Sequence, residues 1–151
     1  MTYFICPLCQ SSFTKKEKIQ VCEKNHHFDI AKEGYLNLLP VQSKSSKNPG
    51  DNKEMMSARR DFLNTGGYFA LAEKIAKISL NYLANVEKGN ILDLGCGESY
   101  YTNLINQQTT AHHICGLDIS KVAIRYAAKR YPDIDFCVAS AYQIPLADES
   151  I

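Results

Sequence analysis

The chain has 151 residues, 45% of them apolar and 22% charged, with a formal net charge of +1 at pH 7. That length suits one ordinary domain or two small ones, the apolar fraction is enough for a core, and a charge so near zero excludes reading a partner from the overall balance. No apolar run is long enough to span a bilayer and the first residues do not form a leader, so no membrane association and a cytoplasmic location are expected, where the six cysteines are not expected to pair as disulfides.

In chain order, the first pattern is metal-like. Cys6, Cys9, Cys22 and His26 read C-x2-C-x12-C-x3-H, the spacing of a tetrahedral zinc site built from a knuckle, a hairpin and a second ligand pair. Thiolates and a neutral imidazole satisfy zinc, and four ligands brought together fold a segment too small to hold itself. His27 stands beside His26 as the alternative fourth ligand, and a set of free thiols in a small core is the competing reading. The expected module covers residues 1–34, followed over 35–67 by the apolar connector "YLNLLP" and a polar linker. Residues 41–60 of that linker hold Lys44, Lys47, Lys53, Arg59 and Arg60 against Asp51 and Glu54, a modest basic patch suited either to solvent or to phosphate. A helix capped by Asp51 is expected within it, stopped by Gly66 and Gly67. Leu71, Ala72, Ile75, Ile78, Tyr82 and Leu83 then keep helical spacing, which predicts a helix over 68–83 packed on a sheet, with Tyr68 at its start either in reach of a ligand or there for plain packing.

The stretch "NILDLGCGESYYT" opens the next part. Ile91, Leu92 and Leu94 around Asp93 read as the end of a buried parallel strand, Gly95 and Gly97 as a tight turn that lets a ligand approach bare peptide, and residues 98–108 as the helix that follows. Tyr100 stands where a dinucleotide site would have its third glycine, and Asp93 would repel phosphate, so a pyrophosphate cofactor is disfavoured. Ile114, Cys115 and Leu117 form a second strand closed by Asp118, an acid placed to accept ribose hydroxyls. Ser120 caps a helix, "KVAIRYAAKRY", ended by Pro132 and Asp133, and residues 134–139 form a third strand whose end, with Ser140, lies beside an adenine ring. Two acids flanking a glycine turn fit a cationic nucleoside, and S-adenosylmethionine is the common one. The competing reading keeps the glycines for a tight strand-to-helix turn alone. Cys115 and Cys137 sit in apolar runs as small hydrophobes, and Cys96 fills the space between the glycines.

With "CPLC", "KEGYLNLLP", "NPGDNKEMMSARRDFLNTGGY", "LDLGCGESYYT", "GLDISKVAIRYAAKRYP" and "FCVASAYQIPLADES", the whole chain resembles the bacterial 23S ribosomal RNA guanine-N(1)-methyltransferases. The resemblance implies zinc on Cys6, Cys9, Cys22 and His26, and S-adenosylmethionine held by Tyr68, by the turn from Asp93 through Gly95, Cys96, Gly97 and Ser99 to Tyr100, and by Asp118. It also implies a hairpin of 23S ribosomal RNA as partner, contacted in part by the zinc module, and a homodimer. Ser99 departs from the family's usual glycine. The expected fold is α/β, a Rossmann-like class I S-adenosylmethionine-dependent methyltransferase of which residues 68–151 supply the first half, preceded by a small zinc-ribbon-like module. The chain is therefore expected to be a fragment, inactive alone. In the intact enzyme guanine N(1) would attack the methyl carbon in line, with most of the catalysis from alignment and a general base removing the N(1) proton. No base is identified; Glu98 stays open. A small-molecule methyltransferase and a non-catalytic zinc and RNA-binding module are the rival readings.

Overall fold

The structure, a computed structural model, describes residues 2–40 and 50–151. Lys44 and Lys47 of the basic patch lie outside the described residues. Eleven elements follow one another among those described: β1 Phe13–Lys16, β2 Ile19–Cys22, β3 His27–Asp29, β4 Leu36–Asn37, α1 Lys53–Asn64, α2 Phe69–Tyr82, β5 Asn90–Leu94, α3 Tyr100–Asn106, β6 His113–Asp118, α4 Lys121–Arg130 and β7 Asp135–Val138.

Strands β1, β2 and β3 form a small antiparallel sheet in which Phe13 faces Cys22 and Val21 faces His27. The larger sheet is parallel, with order β4-β7-β6-β5. Its three carboxyl-terminal strands are joined by the crossover helices α3 and α4, since parallel neighbours need a crossover and cannot be closed by a hairpin. The β4 strand comes from the apolar connector. Its Leu36 and Asn37 pair with Cys137 and Val138, so "YLNLLP" is a strand of the sheet and not a passive tether.

The two faces of that sheet are covered differently, because successive strand residues point to opposite sides. Phe136 and Val138 turn to α4, where they pack with Tyr35, Leu39, Ile124, Ala127 and Ala128. Ile114 meets Ile105 of α3 and Ala76 of α2. On the other side Cys115, Leu117 and Cys137 pack with Phe4, Leu36 and Leu38, edged by Phe13, Phe28 and Ile30 of the small module. The amino-terminal module thus covers one face of the parallel sheet. Gly116 is required by this packing: a Cβ there would stand 2.7 Å from the Phe136 ring and 2.9 Å from Cys96 Sγ.

The helix termini follow local chemistry. Asn52, not Asp51, caps α1, its side chain accepting from the Met55 amide at 2.9 Å. The capping oxygen must reach the third residue into the helix, and Asn52 stands one residue closer than the expected Asp51. Ser120 caps α4 through the Ala123 amide, as its position predicts. On α2 the buried positions are Ala72 and Ala76, whereas Leu71, Ile78 and Tyr82 of the expected apolar face are exposed. Helix α3 is shorter than the pattern predicts, beginning at Tyr100 after Ser99 adopts a left-handed conformation.

Candidate functional sites: a thiolate cluster and a glycine-turn cleft

The first site is built by two turns. Cys6 and Cys9 lie on a loop closed by the Cys6 amide to the Ser11 carbonyl at 3.0 Å and the Gln10 amide to the Cys6 carbonyl at 2.8 Å. Cys22 ends β2, and the following turn brings His26 back, its amide donating to Cys22 Sγ at 3.2 Å. One ligand atom from each of the four residues lies within 4.8 Å of the others. Cys9 and Cys22 sulfurs are 3.5 Å apart, and His26 Nδ1 is 3.5 Å from Cys6 Sγ and 3.3 Å from Cys22 Sγ. A tetrahedron with zinc–sulfur bonds of about 2.3 Å has edges of roughly 3.8 Å, so three thiolates and one imidazole at these separations fit zinc. His27 turns away to Asn25 Oδ1 at 3.0 Å, so the cluster contains His26 and not His27. The Ser11 hydroxyl beside Cys9 brings that thiol down to about 6, and burial pushes Cys6 up to about 11.

The second site is a cleft of about 340 Å³ between the glycine turn and helix α1. The turn presents Gly95, Cys96, Gly97 and Glu98; α1 contributes Met56, Arg59, Arg60, Phe62, Leu63 and Asn64; and Tyr68, Tyr100, Tyr101 and Arg130 close it. Of the residues expected to hold a cofactor, it brings together Tyr68, Gly95, Cys96, Gly97 and Tyr100. A Cβ at Gly95 would meet nothing within 4 Å, so the turn offers bare backbone to open space.

Asp93, Ser99, Asp118 and Ser140 are not on that lining. Asp93 lies behind the turn and accepts from the Thr102 hydroxyl at 2.5 Å; burial raises its pKa, with the Thr102 bond opposing and the Asp118 charge adding to the rise. Asp118 clasps the turn itself, its Oδ2 accepting from the Gly97 amide at 2.9 Å and its Oδ1 from the Ser120 amide at 2.7 Å. Each oxygen keeps a second lone pair for a ligand hydroxyl. Ser99 is buried, its hydroxyl without a partner among the described residues, and the Ser140 hydroxyl accepts from the Tyr142 amide at 3.2 Å. Burial holds the Cys96 thiol well above its ordinary range and Cys115 up to about 12, so neither supplies a nucleophile at neutral pH.

Sequence reasoning missed the strongest polar contact of the cleft. Arg60 forks onto Glu98 with two bonds of 2.6 Å, and its guanidinium lies 4.5 Å over the Tyr126 ring. Glu98, engaged in this way and only 9% exposed, is not placed to take a substrate proton. The adjacent pair of arginines was visible as charge, but nothing in the spacing shows a partner 38 residues away.

Comparison with known proteins follows the same division of the chain. Residues 4–47 match the family described as RlmA, N-terminal, a zinc ribbon, and residues 91–151 match a methyltransferase domain. A 23S rRNA (guanine(748)-N(1))-methyltransferase of Streptomyces fradiae is 29% identical over 97% of this chain and 51% of its own length. A putative 23S rRNA (guanine-N(1)-)-methyltransferase of Bacillus subtilis is 32% identical over 96% of this chain and 52% of its own. The chain joins a zinc ribbon of the RlmA N-terminal type to a methyltransferase domain. It spans about half the length of these curated relatives. A demethylmenaquinone methyltransferase of Thermotoga maritima is 28% identical over 64% of this chain and 42% of its own. The fold is the Rossmann-like one of S-adenosylmethionine-dependent methyltransferases joined to a zinc ribbon, and its cofactors are S-adenosylmethionine and zinc.

Proposed function

We propose that the chain is the zinc-ribbon and cofactor-binding part of an enzyme that methylates guanine N(1) in a hairpin loop of 23S ribosomal RNA. The observation that carries this reading is the fusion itself: the thiolate cluster and the glycine-turn cleft belong to one packed body, joined through Phe4 and β4, and relatives aligned over nearly the whole of it are named as established or putative 23S rRNA guanine-N(1)-methyltransferases. S-adenosylmethionine supplies a methyl group already activated by its sulfonium. The work left to this chain is to bind and align. Asp118, with its spare lone pairs, holds the ribose; the bare peptides at Gly95 and Gly97 admit the cofactor's backbone-facing edge; Tyr68, exposed at 42% and set edge-on to Phe62 at 5.5 Å, walls the reacting end. Cys6, Cys9, Cys22 and His26 hold zinc, which keeps the ribbon folded as a surface for RNA. A loop base offers its Watson–Crick edge without melting a duplex, which suits attack from N(1).

The test is nucleoside mass spectrometry of 23S ribosomal RNA, lacking the modification, after incubation with S-adenosylmethionine and a protein containing the chain at its full length. The expected product is 1-methylguanosine within one hairpin. Methyl incorporation into no RNA, together with tight cofactor binding, would instead favour a small-molecule methyltransferase, the reading supported by the similarity to the demethylmenaquinone enzyme over 64% of the chain.

A further inference from the structure

Three guanidinium groups line the cleft, Arg59, Arg60 and Arg130, around the place proposed for a ligand whose reactive centre is a cation. They are not equivalent. Arg60 is held by its two bonds to Glu98 and by the Tyr126 ring, and Arg130 lies 5.4 Å over the Tyr131 ring at the end of α4. Among the described residues Arg59 has one ionic contact, Nη1 to Asp51 Oδ2 at 2.7 Å, and its side chain is 54% exposed. The same Nη1 stands 4.0 Å from the point a Cβ would occupy on Gly97, where φ is +55°. The guanidinium therefore reaches over the peptide that the glycine leaves bare.

An ion pair this exposed contributes under about 1 kcal/mol, so exchange of Asp51 for another carboxylate is cheap. Asp51 does not depend on Arg59 to stay in place. Its carbonyl accepts from Ser120 Oγ at 2.9 Å, and Gly50 packs so tightly on the same serine that a Cβ would come within 2.7 Å of Ser120 Cβ. The loop before α1 is thus pinned to the segment after Asp118, while the Arg59 side chain is left able to change partner. S-adenosylmethionine carries a single anionic group, the carboxylate of its amino-acid end, and a planar guanidinium forks such a group.

We propose that Arg59 determines cofactor specificity by binding that carboxylate, releasing Asp51 to solvent as it does so. The assignment rests on the cofactor reading given above. The alternative for an exposed arginine beside this cleft is an RNA phosphate.

Titration calorimetry on the zinc-loaded chain with two ligands separates these. S-adenosylhomocysteine has the amino-acid end; 5′-methylthioadenosine keeps the nucleoside and sulfur but lacks it. Arg59→Gln is expected to weaken S-adenosylhomocysteine by about tenfold or more, since a charge-assisted fork is lost, and to leave 5′-methylthioadenosine within about twofold. Asp51→Asn, which removes the competing carboxylate, is expected to tighten the first ligand and not the second. Equal loss for both ligands in Arg59→Gln, or loss for neither, overturns the assignment while leaving the cofactor reading intact. A parent chain that binds neither ligand overturns the cofactor reading and, with it, this one. If Arg59→Gln weakens only a labelled 23S ribosomal RNA hairpin in filter binding, the residue is a phosphate contact and the assignment falls.

Discussion

Ser99 sits at the amino end of α3 with φ of 64°, in the left-handed region, and its hydroxyl is buried without a partner among the described residues. Both features work against stability: the left-handed conformation costs about 1 kcal/mol for a residue with a Cβ, and a buried unsatisfied hydroxyl costs about as much again. Ser99→Gly relieves both and loses only a small contact, so it is expected to raise stability by ~1 kcal/mol and the melting temperature by a few degrees. A lower melting temperature would show that the hydroxyl has a role the folded chain conceals. Asp93 gives a second test at this scale. Burial raises its pKa above the unfolded value, so the folded state binds its proton more tightly than the unfolded chain does. The ionised carboxylate then weighs against folding above its folded pKa, and that penalty fades as pH falls through the folded pKa. Comparing the parent with Asp93→Asn, which keeps an oxygen for Thr102, the stability of the parent relative to the variant should fall as pH rises from about 4 to 7. A gap that stays flat, or widens in the parent's favour, contradicts the assigned direction.

Helix α1 shows what an element can owe to a few contacts. Only Met56 of its residues is a buried anchor, while Met55 and Phe62 are more than half exposed. What fixes it over the glycine turn is the Gly50 and Asp51 contact with Ser120 at one end and the Arg60–Glu98 fork further along. Arg60→Met strands a mostly buried carboxylate and is expected to cost about 2 kcal/mol in chemical unfolding, whereas Arg60→Met combined with Glu98→Gln should recover at least about half of that. Additive losses would mean that the fork carries no coupling. This element also marks the limit of what could be read in advance. The knuckles, the turn at Gly95 and Gly97, the acid at Asp118 and the cap at Ser120 were legible because each is a pattern a few residues long. Strand β4 was not, because two residues flanked by apolar neighbours carry no period, and only pairing with Cys137 and Val138, a hundred residues on, makes them a strand. The Gly97 amide bonded to Asp118 and the fork from Arg60 to Glu98 are likewise products of the tertiary fold. On α2, the pattern chose Leu71 and Ile78 along with Ala72, while only the small residues Ala72 and Ala76 are buried, Ala76 against Ile105 of α3.

At the scale of the molecule, the ribbon is structurally continuous with the sheet. Phe4 is buried with Leu117 and Cys137; Phe13, Phe28 and Ile30 edge the same cluster; the Ile5 amide bonds the Pro145 carbonyl at 2.9 Å; and Gln143 donates to the Pro7 carbonyl at 2.8 Å. A ribbon of three short strands buries too little to fold without its metal, so zinc binding energy is folding energy for that layer. Because that layer also covers one face of the parallel sheet, removal of zinc should be felt at Cys115 and Leu117 as well as at the ligands. The expected outcome is a single cooperative thermal transition whose midpoint falls on chelation, with faster amide exchange in β6 and β7 alongside β1 to β3. Protons compete with zinc for the thiolates, so the zinc-dependent part of the stability is present at neutral pH and lost on acidification, a drop that the chelated protein should not show. Serine at Cys9 should reproduce the chelated behaviour without chelator. Two separate transitions, with the second untouched by chelation and exchange in β6 unchanged, would mean that the sheet holds itself and the ribbon is only an appendage, and the packed body joining metal cluster to cleft would then lose its physical basis.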